Sequence, residues 1–268
     1  RIHFKLAEYA KACELCEAML AQPNNQVEIQ FAQQFLPRCQ RKMGTPVDPV
    51  KPFQPHTEVL LLPRRDQDHQ TIANPCRIEH WVCDELNSHQ RGRCFFVENW
   101  LFKAVFGLTF WQTIFSPVRG AFTHPFQSGP HDLYEAGFRQ LRKRAIVSAL
   151  EDVERDDWSS ELLQRWQLKC GTSNPFVSWH PTGWPVIALA VERISRPDWL
   201  TIFKRMLTDL RENCCGFPDL IFFPNHGGYR LLEVKSPNDK LQANQKRWMQ
   251  TFDSAQIPYA VFQVQWQH

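Results

Sequence analysis

The chain has no apolar run approaching the roughly 20 residues that a membrane helix needs, because charges interrupt every long stretch first. No membrane role is expected. No secretory segment is expected, and nine Cys is an odd number, so a disulfide framework is not expected and a reducing compartment is. An excess of one charge is missing too. Thirty-one basic side chains against 28 acidic ones leave +3, too little to announce a polyanionic partner, so any nucleic-acid surface must be a local patch. The first residue is Arg1 rather than Met, and the residues after it already look helical. The expectation is a fragment, with an N-terminal remainder of the same protein packing on residues 1–75.

What is present is ring and core. Ten Trp and twenty Phe can build a core, or a ligand-facing surface, largely from aromatic side chains. With 43% apolar and 22% charged residues, 268 residues suit an ordinary globular protein of one large domain or two modest ones. Residues 3–20 carry apolar positions at 6, 9, 10, 13, 16, 19 and 20, a 3.6-residue stripe rich in Ala, and residues 26–39 repeat it after a Pro23-Asn24-Asn25 turn. Such a pair suits a tetratricopeptide-like unit, although one pair does not make a repeat. Six Pro between 44 and 75 predict an extended connection. Helical patterning returns over 76–89, 97–115, 133–168 and 196–213, with an irregular stretch at 171–186.

The last fifty residues read strand, turn, strand, helix, strand. Leu220–Phe223 and Tyr229–Lys235 flank the turn Pro224-Asn225-His226-Gly227-Gly228. Ser236-Pro237-Asn238-Asp239 is expected to cap a helix reaching Ser254, and Ala260, Phe262, Val264 and Trp266 alternate with Gln263 and Gln265. The hairpin brings Asp219 near Glu233. Because strand side chains alternate, Glu233 and Lys235 share a face and Val234 takes the other. Two carboxylates at one spot repel each other, and a hard divalent cation, Mg²⁺ or Mn²⁺, removes that penalty. This is the chemistry of phosphodiester hydrolysis, in which a cation lowers the pKa of a water and stabilises the charged transition state. Lys235 would orient the water or stabilise its hydroxide form. The Val234 carbonyl could complete the metal shell, and Gln245 could bond Lys235 or the water. On spacing alone, a hairpin with exposed charges and a salt bridge explains the pattern equally well.

Gly216-Phe217-Pro218-Asp219-Leu220, then Leu232-Glu233-Val234-Lys235-Ser236-Pro237-Asn238-Asp239-Lys240-Leu241, with Gln245, resembles the VRR-NUC branch of the PD-(D/E)xK nucleases. More narrowly, it is similar to the C-terminal part of a bacterial member of the Fanconi-anaemia-associated nuclease family. Ser236 stands where that family usually has Gly. The match is specific over 209–266 and fainter upstream at Val97-Glu98-Asn99, Phe106-Gly107-Leu108, Phe110-Trp111 and Val177-Ser178-Trp179. The resemblance implies a restriction-endonuclease-like α/β nuclease domain with a mixed sheet flanked by helices over 76–268. Its catalytic core would be 209–266 and its helical part 76–208, after an α-helical, repeat-like segment and linker over 1–75. It further implies Asp219, Glu233, Lys235 and Gln245 as catalytic residues, and Glu98, Asp219, Glu233 and Val234 as metal ligands. Without it, Glu98 reads as a first-turn acid favoured by a helix dipole. Arg211 falls where the family has a basic residue for a 5′-terminal phosphate.

Arg139, Arg142, Lys143 and Arg144 are candidate DNA contacts, as are Arg38, Arg41, Lys42, Arg64, Arg65, Arg91 and Arg93, although a charge run is usually a solvated face. Cys13-x-x-Cys16 sits mid-helix and reads as packing. Cys76, His80 and Cys83 share a helical face but lack a fourth zinc ligand. The expected function is structure-selective cleavage of DNA carrying a 5′ flap or branch. Flap endonuclease action, 5′-to-3′ exonuclease action and a role in interstrand-crosslink repair follow from the resemblance, as does a cytoplasmic nucleoid or a nuclear location. Two rivals are a junction resolvase of the same fold, dimeric and selective for four-way junctions, and a non-catalytic scaffold for DNA or protein.

Overall fold

The computed structural model describes residues 1–23, 26–47, 53–62, 78–180 and 182–267. They form two compact units, Arg1–Phe53 and Gln54–His268. In the first unit, α1 (Ile2–Lys5) and α2 (Tyr9–Ala21) replace the single helix expected over 3–20, and α3 (Gln26–Lys42) follows. The break comes at Ala7, in left-handed geometry at φ 60°. It allows Phe4 to meet both Tyr9 (5.2 Å between centroids) and Phe35 (5.1 Å). Residues five apart on a straight helix do not face each other. Ala12, Cys13, Cys16, Ala32, Phe35 and Cys39 make the core of this unit, and all but Phe35 are small side chains that let two helices approach.

The second unit runs β1 (Thr57–Leu62), α4 (Ile78–Ser88), β2 (Gly92–Phe96), α5 (Trp100–Thr109), α6 (Trp111–Ile114), α7 (Gly137–Leu141), α8 (Lys143–Val153) and α9 (Trp158–Lys169). It continues with α10 (Gly183–Arg193), α11 (Arg196–Thr208), α12 (Leu210–Asn213), β3 (Leu220–Pro224), β4 (Arg230–Lys235), α13 (Ala243–Ser254) and β5 (Tyr259–Trp266). The strands make one mixed sheet in the order β1-β5-β4-β3-β2. β1–β5 and β5–β4 are parallel, β4–β3 and β3–β2 antiparallel. Strand β1 lies inside the connection expected over 44–75. Thr57-Glu58-Val59-Leu60-Leu61-Leu62 is too short to stand out among prolines, and it becomes a strand by pairing with the distant β5. Helix α10 likewise begins within the stretch expected to be irregular, because a helix buried on most sides gives a weak period.

One sheet face packs Leu220, Leu232, Val234, Ala260, Phe262 and Val264 against Val82 and Cys83 of α4. The alternation of β4 sends Leu231 and Glu233 to the other face. There α13 covers the sheet, with Phe252 against Tyr259 at 6.0 Å. A continuous ring network ties the helices to that face: Trp158–Trp199, Trp199–Phe102, Phe102–Phe217, Phe217–Trp248 and Trp248–Phe252. These rings hold α5, α9, α11 and α13 in place around the residues just before β3.

Candidate active site

Phe217 is 1% exposed, its ring 4.6 Å from Phe102 and 4.1 Å from Trp248, and it anchors the approach to β3. Gly216 before it sits at φ +81°, and a Cβ there would meet the Asn244 side chain at 2.7 Å, so only Gly lets the chain pass the start of α13. Asn99, itself in left-handed geometry, accepts a hydrogen bond from the Phe217 amide through Oδ1 (3.1 Å). The next carbonyl on this path, that of Asp219, accepts from the amides of Val97 (2.8 Å) and Glu98 (3.1 Å). Backbone bonds therefore lock the 97–99 corner to Asp219.

The β3–β4 ladder ends at Leu220–Leu232. Beyond it, the Val234 amide donates to Asp219 Oδ2 (3.0 Å) instead of to a strand. A strand residue presents its N–H and C=O to the same side, so the Val234 carbonyl faces Asp219 as well. Glu233 is fully buried. Its Oε1 accepts from Lys235 Nζ (2.8 Å) and from Gln245 Nε2 (2.6 Å), while its Oε2 is buried without a partner. Gln245 was expected one turn inside a helix capped by Ser236–Asp239, reaching Lys235 or a water. Instead α13 starts at Ala243 with Gln242 as its cap. Gln245 completes a capping box by accepting from the Gln242 amide (2.9 Å), so its Nε2 is aimed at Glu233. The Ser236 hydroxyl is occupied by Asp239 (2.6 Å), which shapes a loop and caps nothing.

Burial pushes Glu233 up to about 8, with the Asp219 charge adding to the rise and Lys235 opposing it. Asp219 is pushed up to about 6, again mainly by burial, against the Val234 amide that favours its charged form. For Lys235, burial alone would lower the pKa, but the hydrogen bond and charge of Glu233, with Asp219, outweigh it and raise the value. Lys235 is therefore a held ammonium, a donor and not a base. The carboxylates carry more negative charge than their surroundings accommodate, and one oxygen is orphaned. Hard oxygen donors with that deficit fit a divalent cation such as Mg²⁺ or Mn²⁺, with Asp219, Glu233 and the Val234 carbonyl as its holders.

Glu98 precedes the Asn99 cap rather than opening α5, so it is outside the first turn of that helix, and it is exposed. Its charge is felt at Asp219, yet among the described residues no three carboxylate, imidazole or thiolate groups stand in a ready-made ligand cluster. Sequence reasoning missed Glu79, in the first turn of α4, whose charge raises both Asp219 and Glu233. Only the sheet brings it there, and nothing local marks it.

Arg142 needs correction as a DNA contact. It is 2% exposed, its guanidinium binding Asp132 through two bonds (2.6 and 3.0 Å) and lying over Phe138. Arg139, Lys143 and Arg144 are exposed, and so is Arg211, which lies 3.6 Å from Glu135 and over Tyr134. Arg38, Arg41, Lys42, Arg91 and Arg93 are exposed as well. Arg64, Arg65 and Cys76 lie outside the described residues. His80 packs edge-on against Phe96, and Cys83 accepts from Asn87 within the core, as packing residues do. No helix among the described residues is long and apolar enough to cross a membrane.

A mixed sheet with its acidic residues at the end of a β3–β4 hairpin, flanked by helices, defines the restriction-endonuclease-like class. A family profile described as the VRR-NUC domain matches residues 154–266. The Fanconi-associated nuclease 1 homolog of Pseudomonas aeruginosa is 34% identical over 259 residues, covering 96% of this chain and 45% of that protein. The homolog of Oryza sativa subsp. japonica is 31% identical over 157 residues, 57% of this chain and 16% of that one. A crystal structure of paFAN1 bound to 2-nucleotide 5′-flap DNA with a gap superimposes with a TM-score of 0.87 at 32% identity, covering 99% of this chain and 48% of that one. The chain belongs to the Fanconi-associated nuclease family, and it spans about half the length or less of these relatives.

Proposed function

We propose that this chain forms the hydrolytic part of a structure-selective DNA nuclease that cuts near a 5′ flap and degrades from 5′ to 3′. It would act in interstrand-crosslink repair, wherever chromosomal DNA resides. The observation that carries the reading is Glu233: fully buried, one oxygen shared by Lys235 and Gln245, the other unsatisfied beside Asp219. A bound Mg²⁺ or Mn²⁺ would supply Lewis acidity, lowering the pKa of a water and stabilising charge on the phosphoryl oxygens. The protein's own residues do the rest. Gln245 fixes the Glu233 carboxylate, and the Val234 amide fixes that of Asp219. Lys235 stays protonated, so it can hold the attacking water by donating to its oxygen and can offset charge as that oxygen bonds phosphorus and the leaving oxygen departs. The exposed Arg139, Lys143, Arg144 and Arg211 are offered as phosphate contacts, and the flap seen with the paFAN1 relative supports that substrate class.

The deciding experiment is cleavage of 5′-flap, 3′-flap and four-way substrates with and without Mn²⁺. The 5′ flap is expected to be cut only with the ion. Asp219→Ala and Lys235→Ala are expected to abolish cutting while leaving flap binding near wild type. Full activity in either variant overturns the assigned roles, and a four-way preference in a symmetric dimer moves the chain to the resolvases.

A further inference from the structure

Phe126 is 91% exposed, the highest value among the large apolar side chains described. It does not sit on a loose loop. Gln127 beside it accepts from the Thr123 amide (3.0 Å) and donates to the carbonyls of Ala121 (2.9 Å) and Gly129 (2.6 Å). The His131 amide also bonds Ala121, closing the loop at its base. One exposed ring alone needs no explanation, but a ring held at the rim of a groove with other rings makes a contiguous apolar patch, and such patches mark binding surfaces.

The ring borders a groove of about 630 Å³, lined also by Phe115, Phe122 and His124. Phe115 and Phe122 are stacked, 6.0 Å apart at 22°. The residues that follow Phe115 (Ser116, Pro117 and Val118) line a second groove of about 480 Å³ together with Lys143 and Arg144. One segment thus separates a groove of flat aromatic faces from a groove of cations. Nucleic acid pairs these chemistries, with phosphates on the cations and bases on the rings. Among the partners that rings and cations side by side could serve, nucleic acid is the one selected by the DNA reading above.

We propose that Phe115, Phe122 and Phe126 form a stacking platform for an unpaired base, placed beside the phosphates that Lys143 and Arg144 contact. The platform rests on the DNA reading above and deepens it: single-stranded character is read by stacking, without base identity.

The test is binding in EDTA, where no cleavage is read, using a 5′ flap that carries 2-aminopurine and a nicked duplex without a flap. Wild type is expected to quench the flap fluorophore. Phe126→Ala is expected to lose most of that quench and weaken flap binding about 5- to 10-fold while the nicked duplex is bound as before. Phe126→Trp should retain both signals, and Arg144→Ala should weaken both substrates alike. Unchanged quench and affinity in Phe126→Ala overturn the platform, as does an equal loss on both substrates. No binding to either DNA by wild type overturns the DNA reading itself, an outcome distinct from binding that ignores Phe126.

Discussion

At the scale of single residues, burial shifts the carboxylates proposed for catalysis and fixes another charge, Arg142, in the structure. Asp219 and Glu233 both titrate above the usual carboxylate range, so the folded chain binds protons that the unfolded chain releases. Their contribution to stability is therefore fully present below about pH 4 and is lost as pH rises through about 6 and then about 8. In EDTA, the melting temperature is expected to fall by about 5 °C between pH 5.5 and 8.5 through this pair. Glu233→Gln should flatten that slope, and calorimetry across the range checks both. Adding Mn²⁺ at pH 8.5 should restore the loss, since a cation replaces the protons. Arg142 and Arg144 make a second contrast. Removing Arg142 leaves Asp132 without its buried partner and should cost about 2–3 kcal/mol of stability. Removing the exposed Arg144 should change stability by less than about 0.5 kcal/mol and weaken DNA binding instead. Denaturant melts alongside binding curves separate the two.

At the scale of elements, the acidic residues depend on two joints, the Gly216-Phe217 approach to β3 and the capped start of α13. Phe217→Ala removes a ring packed between Phe102 and Trp248 and should destabilise by about 3–5 kcal/mol, read by chemical denaturation. Gly216→Ala forces a side chain into left-handed geometry and against Asn244. Asn244 precedes Gln245, so cleavage should fall at least ~10-fold even at temperatures where the variant is folded. An assay at 15 °C with circular dichroism on the same samples checks this. Arg230 on β4 pairs with Glu58 on β1 across the intervening β5, which explains how an edge strand with alternately exposed residues stays seated.

At the scale of the whole molecule, the small net charge means that the proposed DNA contact rests on a local patch of cations. Four exposed cations, Arg139, Lys143, Arg144 and Arg211, are the proposed phosphate contacts, so log affinity should fall with log salt at a slope of about −3 to −4. A slope near zero would remove them from the interface. Titration of a labelled flap at several KCl concentrations decides the matter.

Local pattern was enough for what local pattern controls. The hairpin, the final helix and strand, and the Glu233–Val234–Lys235 alternation follow from strand periodicity and turn residues within one stretch of chain. The motif resemblance to VRR-NUC nucleases lies in those same neighbours, and the family match extends back to residue 154. Tertiary structure alone decided the rest. β1 is a strand only because β5 lies beside it, and Glu79 reaches the acidic pair only because α4 crosses the sheet. Arg142 left the cationic surface because Asp132 and Phe138 closed around it. The physical reason is common to all three. Pairing, burial and pKa depend on what distant segments bring within a few ångströms, and a sequence read in one direction carries no distances.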